Sequence, residues 1–164
     1  MSLAKLDRID INILAHLQQF GRITNIELAE AVSLSASPCL VRVKRLEKEG
    51  YLTSYNAHVD ISKLIETRTI LTEVTLEKQR QSDFARFEQK IASVEEVMEC
   101  HLISGGYDYL LKFLTTGVSH YQRVIEAILA GDFGVDKYFS YIVIKSPVEK
   151  PFVPLKSLID KGRT

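Results

Sequence analysis

The sequence predicts an α+β chain in two parts, a three-helix N-terminal unit followed by a unit of βαββαβ order. Three observations predict it. Apolar residues recur at helical spacing up to Gly50 and at alternating spacing just after it. Helix-start signals crowd the first fifty residues, at Asp7 and Asp10, at Thr24 and Glu27, and at Ser35 to Pro38. Beyond residue 67, strand-like and helix-like stretches follow one another with short connections.

Within the N-terminal part, "DRIDINILAHLQQF" sets Ile9, Ile13, Leu14 and Leu17 on one helical stripe, and Gly21 follows its end. Asp7 and Asp10 lie near its start, where the helix dipole favours negative charge. In "TNIELAEAV", Thr24 and Glu27 have capping-box spacing. "SLSAS" makes a tight connection, and either Ser35 or Ser37 caps the next helix. Pro38 is tolerated in a first turn, where its missing N–H is not needed, and Gly50 suits the position after a helix end.

"YLTSYNAHVD" then reads as one or two extended segments, and residues 61–67 as a connector. "RTILTEVTLEK", "VEEVMECHLISG", "YDYLLKFLTTG" and "DKYFSYIVIKS" read as strands. "QSDFARFEQKIAS", capped by Ser82, and "VSHYQRVIEAILAG" read as helices. That order is the split-βαβ, ferredoxin-like arrangement, with helices on one face of a four-stranded sheet. Tyr109, Leu111, Phe113 and Tyr141 are assigned to the other face, which is too apolar to stay in water and is expected to bury against another subunit. The expected domains are 1–52, a helix-turn-helix unit; 53–67, an extended linker strand; 68–146, the ferredoxin-like unit; and 147–164, a proline-rich tail. The tail is read as irregular, with room for a short terminal helix, and Phe152 and Val153 as lying on a neighbouring subunit.

A chain of 164 residues suits one ordinary domain or two small ones. No apolar run approaches the ~20 residues that span a membrane. "MSLAKLDRID" is too polar, and charged too early, for a secretory leader, so a cytoplasmic protein is expected. Cys39 and Cys100 lie far apart, in no metal-ligand spacing, and read as reduced small hydrophobes. The 21 Lys and Arg balance the 21 Asp and Glu, so only a local patch could serve nucleic acid. One exists: Arg42, Lys44, Arg45 and Lys48 face Glu47 alone between Arg42 and Lys48.

At ~100° per residue, Leu40, Val43 and Leu46 share an inward arc, with Ala36 and Cys39 on or near it. Ser37, Pro38, Val41, Arg45 and Lys48 take the opposite arc, flanked by Arg42 and Lys44. Taken by itself, this helix is compatible with a solvated basic surface or with a DNA groove. The preceding helix and short turn make a helix-turn-helix, which places its second helix in the major groove. Arg42, Arg45 and Lys48 would then mostly meet phosphates, the arginines being able to reach guanine edges as well, with Lys44 on the flank of the same DNA-facing surface, while Ser35, Ser37, Pro38 and Val41 shape contacts to bases. Thr24 and Asn25, at the start of the preceding helix, could hold a phosphate on the exposed amides. "YLTSYNAHVD" is either the wing or the strand leading to the second unit.

These stretches resemble the Lrp/AsnC (leucine-responsive/asparagine-operon, feast-famine) family of transcriptional regulators. The likeness rests on "LDRIDINIL", "GRITNIELAEAVSLSASPCLVRVKRLEKEGYL", "NAHVD" and "EEVMECHLISGGYDYLL", together with the βαββαβ order. It implies a winged helix-turn-helix for double-stranded DNA and a ferredoxin-like (ACT-like) domain that binds an amino acid or related small molecule. It also implies self-association into dimers and on to tetramers or octamers. Many relatives carry a charged or polar residue where this chain has Val41, and an apolar side chain there suits a thymine methyl.

"ISGGYDYLL" admits two readings. One is a hairpin turn, with positive φ at Gly105 and Gly106 and a side-chain-to-backbone bond from Asp108. The other is a nest of amides for an effector carboxylate, with Asp108 or a carbonyl for its ammonium. The resemblance implies that Ser104, Gly105, Gly106, Tyr107 and Asp108 border an effector pocket with the last strand. There Tyr138 and Ser140 stand where Thr-x-Thr is frequent.

No nucleophile motif, phosphate loop or dinucleotide fingerprint is present, so neither a catalytic residue nor a cofactor is expected. Glu99 and His101 share one strand face and Cys100 the other, which argues against a metal site. A second reading makes the C-terminal unit an enzyme or a small-molecule binder whose helical appendage meets protein rather than DNA. That reading needs a convergent acid, base or metal set.

Overall fold

The computed structural model describes residues 6–162. The reading of the N-terminus as no leader falls partly on residues 1–5, outside that range. The chain forms two compact units. One takes in residues up to His58 together with those from Val148 onward; the other spans Val59–Pro147.

The first unit begins with α1, Arg8–Gln19. Asp7 caps it: its carboxylate accepts the Asp10 amide at 2.8 Å, and the Asp10 carboxylate accepts the Asp7 amide at 3.1 Å. Ile13, Leu14 and Leu17 turn inward. In α2, Asn25–Ala31, Thr24 and Glu27 form the expected reciprocal cap, with bonds of 3.2 and 2.9 Å. The chain leaves α2 through Ser33, whose φ is 58°. The Ser33 amide bonds to Glu30 O and the Leu34 amide to Ala29 O, so the terminal carbonyls of α2 are satisfied. A non-glycine residue costs about 1 kcal/mol in this left-handed conformation. Ser33→Gly is expected to stabilise the unit by no more than about 0.5 kcal/mol in urea unfolding, after allowing for glycine's freer unfolded chain.

Helix α3, Ala36–Lys48, follows. Ser35 is its cap residue by backbone conformation, yet the hydroxyl makes no capping bond, so neither serine caps as expected. Gly50, at φ 77°, ends it: the Gly50 amide bonds to Glu47 O and the Tyr51 amide to Leu46 O. The buried stripe of α3 is set by Cys39 and Leu46, with Arg42 and Val43 half-buried between them. Leu40, expected inside, is exposed. The helix is rotated by about one residue from the reading centred on Leu40, because Arg42 has a partner in α1.

The expected linker strand is not seen. Residues 52–60 carry no strand pairing among the described residues, and Ile61–Lys63 form a 3-10 turn. A strand needs a paired neighbour, and this stretch finds none within the chain. The tail is more ordered than expected. Helix α6, Leu155–Gly162, packs against α1, and Leu155 joins the apolar cluster of the first unit. Gln18 clamps the tail: its amide nitrogen donates to Val153 O at 2.6 Å, and its amide oxygen accepts from Val153 N at 3.3 Å. Val153 is thereby held by this chain's own α1.

The second unit is β1 (Arg68–Leu76), α4 (Gln81–Ile91), β2 (Val97–Leu102), β3 (Tyr109–Thr115), α5 (Val118–Ala130) and β4 (Val135–Ile142). Its antiparallel sheet has the order β2-β3-β1-β4, as βαββαβ connectivity requires. The cap of α4 is Arg80, whose amide donates to the Asp83 carboxylate; Ser82, the expected cap, lies inside the helix.

Tyr109, Leu111 and Phe113 face the helices, contrary to the sequence reading. They form the core with Ile70, Val74, Phe87, Tyr121 and Ile125. The open face carries the other parity: Leu71 and Glu73 of β1, Leu110, Lys112 and Leu114 of β3, and Phe139 and Tyr141 of β4. Tyr141 was placed correctly. Phe139 and Tyr141 are 59% and 51% exposed.

Candidate nucleic-acid interface and ligand loop

The geometry of α3 depends on a buried carboxylate. Asp10 is 1% exposed. Arg42 Nη1 lies 2.8 Å from Asp10 Oδ1 and 2.7 Å from Asp7 Oδ2, and Arg45 Nη2 lies 2.7 Å from Asp10 Oδ2. Two guanidinium groups thus neutralise one buried charge and fix α3 on α1. Arg42 and Arg45 are both turned onto α1, with the Arg45 side chain still 44% exposed. The Asp7 carboxyl is held below its ordinary value of 3.8 by the Asp10 amide first, and also by Arg42. The Glu27 carboxyl is lowered from 4.5 by the Thr24 amide and hydroxyl. Both groups titrate lower when folded, so their stabilisation is complete above the unfolded values and is lost as pH falls through the folded ones. Amide protection factors in α1 and α2, corrected for intrinsic exchange, should therefore fall below about pH 4.

Thr24 and Asn25 are also employed internally. The Thr24 hydroxyl accepts from the Glu27 amide and lies 2.7 Å from Glu27 Oε2. Asn25 Nδ2 donates to Ala36 O at 2.8 Å, tying the start of α2 to the start of α3. Asn25 Oδ1 is buried with no partner among the described residues.

What remains open on α3 is one stripe. Ser37, Val41, Lys44 and Lys48 recur at i, i+4, i+7 and i+11, all exposed, with Pro38 beside the first. Val41 is 65% exposed. Lys44 and Lys48 form no ion pair among the described residues. From N- to C-terminus the stripe is small, then apolar, then cationic. Ser35 and Ala36, also exposed, extend its small end.

Ser104–Asp108 joins β2 to β3 as an open loop rather than a tight turn. Gly105 and Gly106 do not have positive φ, contrary to expectation, and a Cβ on either would meet nothing within 4 Å. Among the described residues, the amides from Ser104 to Tyr107 donate to nothing, whereas Ile103 N and Asp108 N are bonded. The Asp108 carboxylate is already taken by Leu76 N at 2.8 Å and Gln79 Nε2 at 3.0 Å, which pin the loop to the end of β1. Ser140 and Tyr138 point to the helix face, paired across from Thr72 and Val74. The Ser140 hydroxyl is 2.5 Å from Tyr121 Oη, which in turn is 2.8 Å from Thr72 Oγ1. The Ser140 hydroxyl is thus engaged with Tyr121 and makes no bond to the loop among the described residues. Sequence reasoning missed the Asp10 pairings and the hydroxyl chain, since their partners lie between 19 and 49 residues apart. His101 and Lys112 both engage Glu99, on the face opposite Cys100. No helix among the described residues is long and apolar enough to cross a membrane.

Both parts of the chain match known protein families. Residues 6–53 match the family model of a winged helix-turn-helix DNA-binding domain, and residues 69–153 that of the Lrp/AsnC ligand binding domain. The transcriptional regulatory protein DoeX of Halomonas elongata is 44% identical over 147 residues, covering 90% of this chain and 92% of the relative. The leucine-responsive regulatory protein of Haemophilus influenzae is 39% identical over 151 residues, covering 92% and 91%. A transcriptional regulator from Neisseria meningitidis, solved as its L-Met complex, superposes with a TM-score of 0.86 at 32% identity, covering 94% of this chain and 99% of that one. This chain, with a capped helix-turn-helix joined to a four-stranded ligand-binding domain, belongs to the Lrp/AsnC family of transcriptional regulators.

Proposed function

We propose that the chain reads operator DNA as a symmetric dimer through the Ser37–Val41–Lys44–Lys48 stripe, and that an amino acid bound at the Ser104–Tyr107 amides tunes that binding. The observation that carries this is the division of labour on α3. Arg42 and Arg45 are spent on Asp10, so the groove-facing chemistry falls to the open stripe. The two lysines suit phosphates, and Ser37, Pro38 and Val41 suit base edges and thymine methyls. Four consecutive free amides suit a carboxylate. The effector's ammonium goes to a carbonyl, since Asp108 is occupied. The exposed Phe139 and Tyr141 on an unpartnered sheet face suit a second copy, giving dimers and, through further contacts, tetramers or octamers. In this reading the protein acts in the cytoplasm by occupancy of DNA, not by catalysis. A gel shift on the DNA upstream of its own gene tests it, run at two salt concentrations with a panel of L-amino acids. A specific shift that weakens with salt and responds to one amino acid is expected; equal binding to unrelated DNA would overturn it.

A further inference from the structure

A groove of about 510 Å³ runs along α5 where the Val94–Glu96 connection meets it. Its walls are apolar, formed by Val94, Val124, Ala127, Ile128 and Phe133. Two charged groups stand in it. Glu96 is positioned by His120, whose Nε2 lies 3.0 Å from Glu96 Oε1. The Thr116 amide donates to His120 Nδ1 at 3.3 Å, so the ring proton sits on Nε2 and is given to Glu96. Glu96 Oε2 has no partner among the described residues. Arg123, three residues along α5 from His120, forms no hydrogen bond or ion pair among the described residues.

We propose that this groove is a second small-molecule site, which takes a free L-α-amino acid with an apolar side chain. Arg123 receives the carboxylate, Glu96 Oε2 the ammonium, and the apolar wall the side chain. One open cation and one open anion lining the same groove match a zwitterion and disfavour a dicarboxylate, whose second charge would meet Glu96. The volume lies within the range of small-ligand pockets. The site is distinct from the Ser104–Asp108 loop: the two flank opposite ends of β2, whose rise separates them by roughly 20 Å. It does not depend on the loop's role.

Methyl and amide NMR of the full chain tests the groove and the loop separately. The probes are L-leucine and L-methionine at millimolar concentration, with isocaproate and isoamylamine as leucine analogues lacking one charge each. The Val124, Ala127 and Ile128 methyls are expected to shift and saturate with the amino acids. Either analogue should bind at least about tenfold more weakly, having lost a charge-assisted bond. Arg123→Gln and Glu96→Gln should each abolish those shifts and leave any shifts of the Gly105 and Gly106 amides intact. Unmoved groove methyls at saturation, or unchanged affinity in Arg123→Gln, would overturn the proposal. Failure of the loop reading alone would show as silent Gly105 and Gly106 amides beside moving groove methyls.

Discussion

Replacing Arg42 and Arg45 together with alanine is expected to destabilise the DNA-binding unit by about 3–5 kcal/mol, because a buried carboxylate is left without a counter-charge. Each single replacement leaves Asp10 one guanidinium and should cost about 1–2 kcal/mol. The pair is therefore more than additive, and a double-mutant cycle should return a coupling of at least about 1 kcal/mol. Amide exchange in α1 and α3 is the readout, since it isolates this unit from the rest of the chain. Additive losses would mean that Asp10 is not the shared anchor. The Asp10→Asn change made on the double variant should recover part of the stability, since it removes the orphaned charge. This recovery separates the ion-pair account from simple loss of arginine packing.

Replacing Lys44 and Lys48 together should act on DNA and not on the fold. Neither is buried and neither forms an ion pair among the described residues, so thermal unfolding should stay within about 0.5 kcal/mol of the parent. Each lysine removed from a phosphate makes the slope of log affinity against log salt shallower by about 0.9. The double variant should lose about 2 from the slope for each half-site, and roughly 60-fold in affinity per half-site near 0.1 M salt. The loss should fall alike on operator and random DNA, because phosphates carry no sequence. Val41 should behave in the opposite way. Val41→Glu is expected to redistribute preference among operators, and site selection returning the parental site would refute its role at the bases.

Much of this was legible in the residues. The reciprocal cap of Thr24 and Glu27, the stop at Gly50 and the βαββαβ order are local chemistry, and the structure contains each of them. The facing of β3 was not legible, because "YLLKFLT" is apolar at both parities. Tyr109, Leu111 and Phe113 compete with Leu110 and Leu114 for the core, and only packing against Phe87 and Tyr121 decides. The pairing of Arg42 and Arg45 with Asp10 was hidden for a related reason. A basic residue on a half-wet helix reads as solvated until its carboxylate is known, and Asp10 looked like an ordinary first-turn acid. For the Ser104–Asp108 loop, the glycines were visible but their backbone conformation was not. Whether Asp108 was free depended on Leu76 and Gln79, some thirty residues earlier.

The clamp of Gln18 on Val153 has a consequence for how the molecule is made. The two residues are 135 positions apart, with the whole second unit between them. On the ribosome, α1 to α3 emerge first, but the helix that covers α1 emerges last. At about 5–20 residues per second, the nascent three-helix unit waits roughly 7–27 s with an apolar strip of α1 uncovered. Prior folding of Val59–Pro147 shortens the loop that must close and lowers its entropic cost. The N-terminal unit is thus the first to be synthesised and the last to be completed.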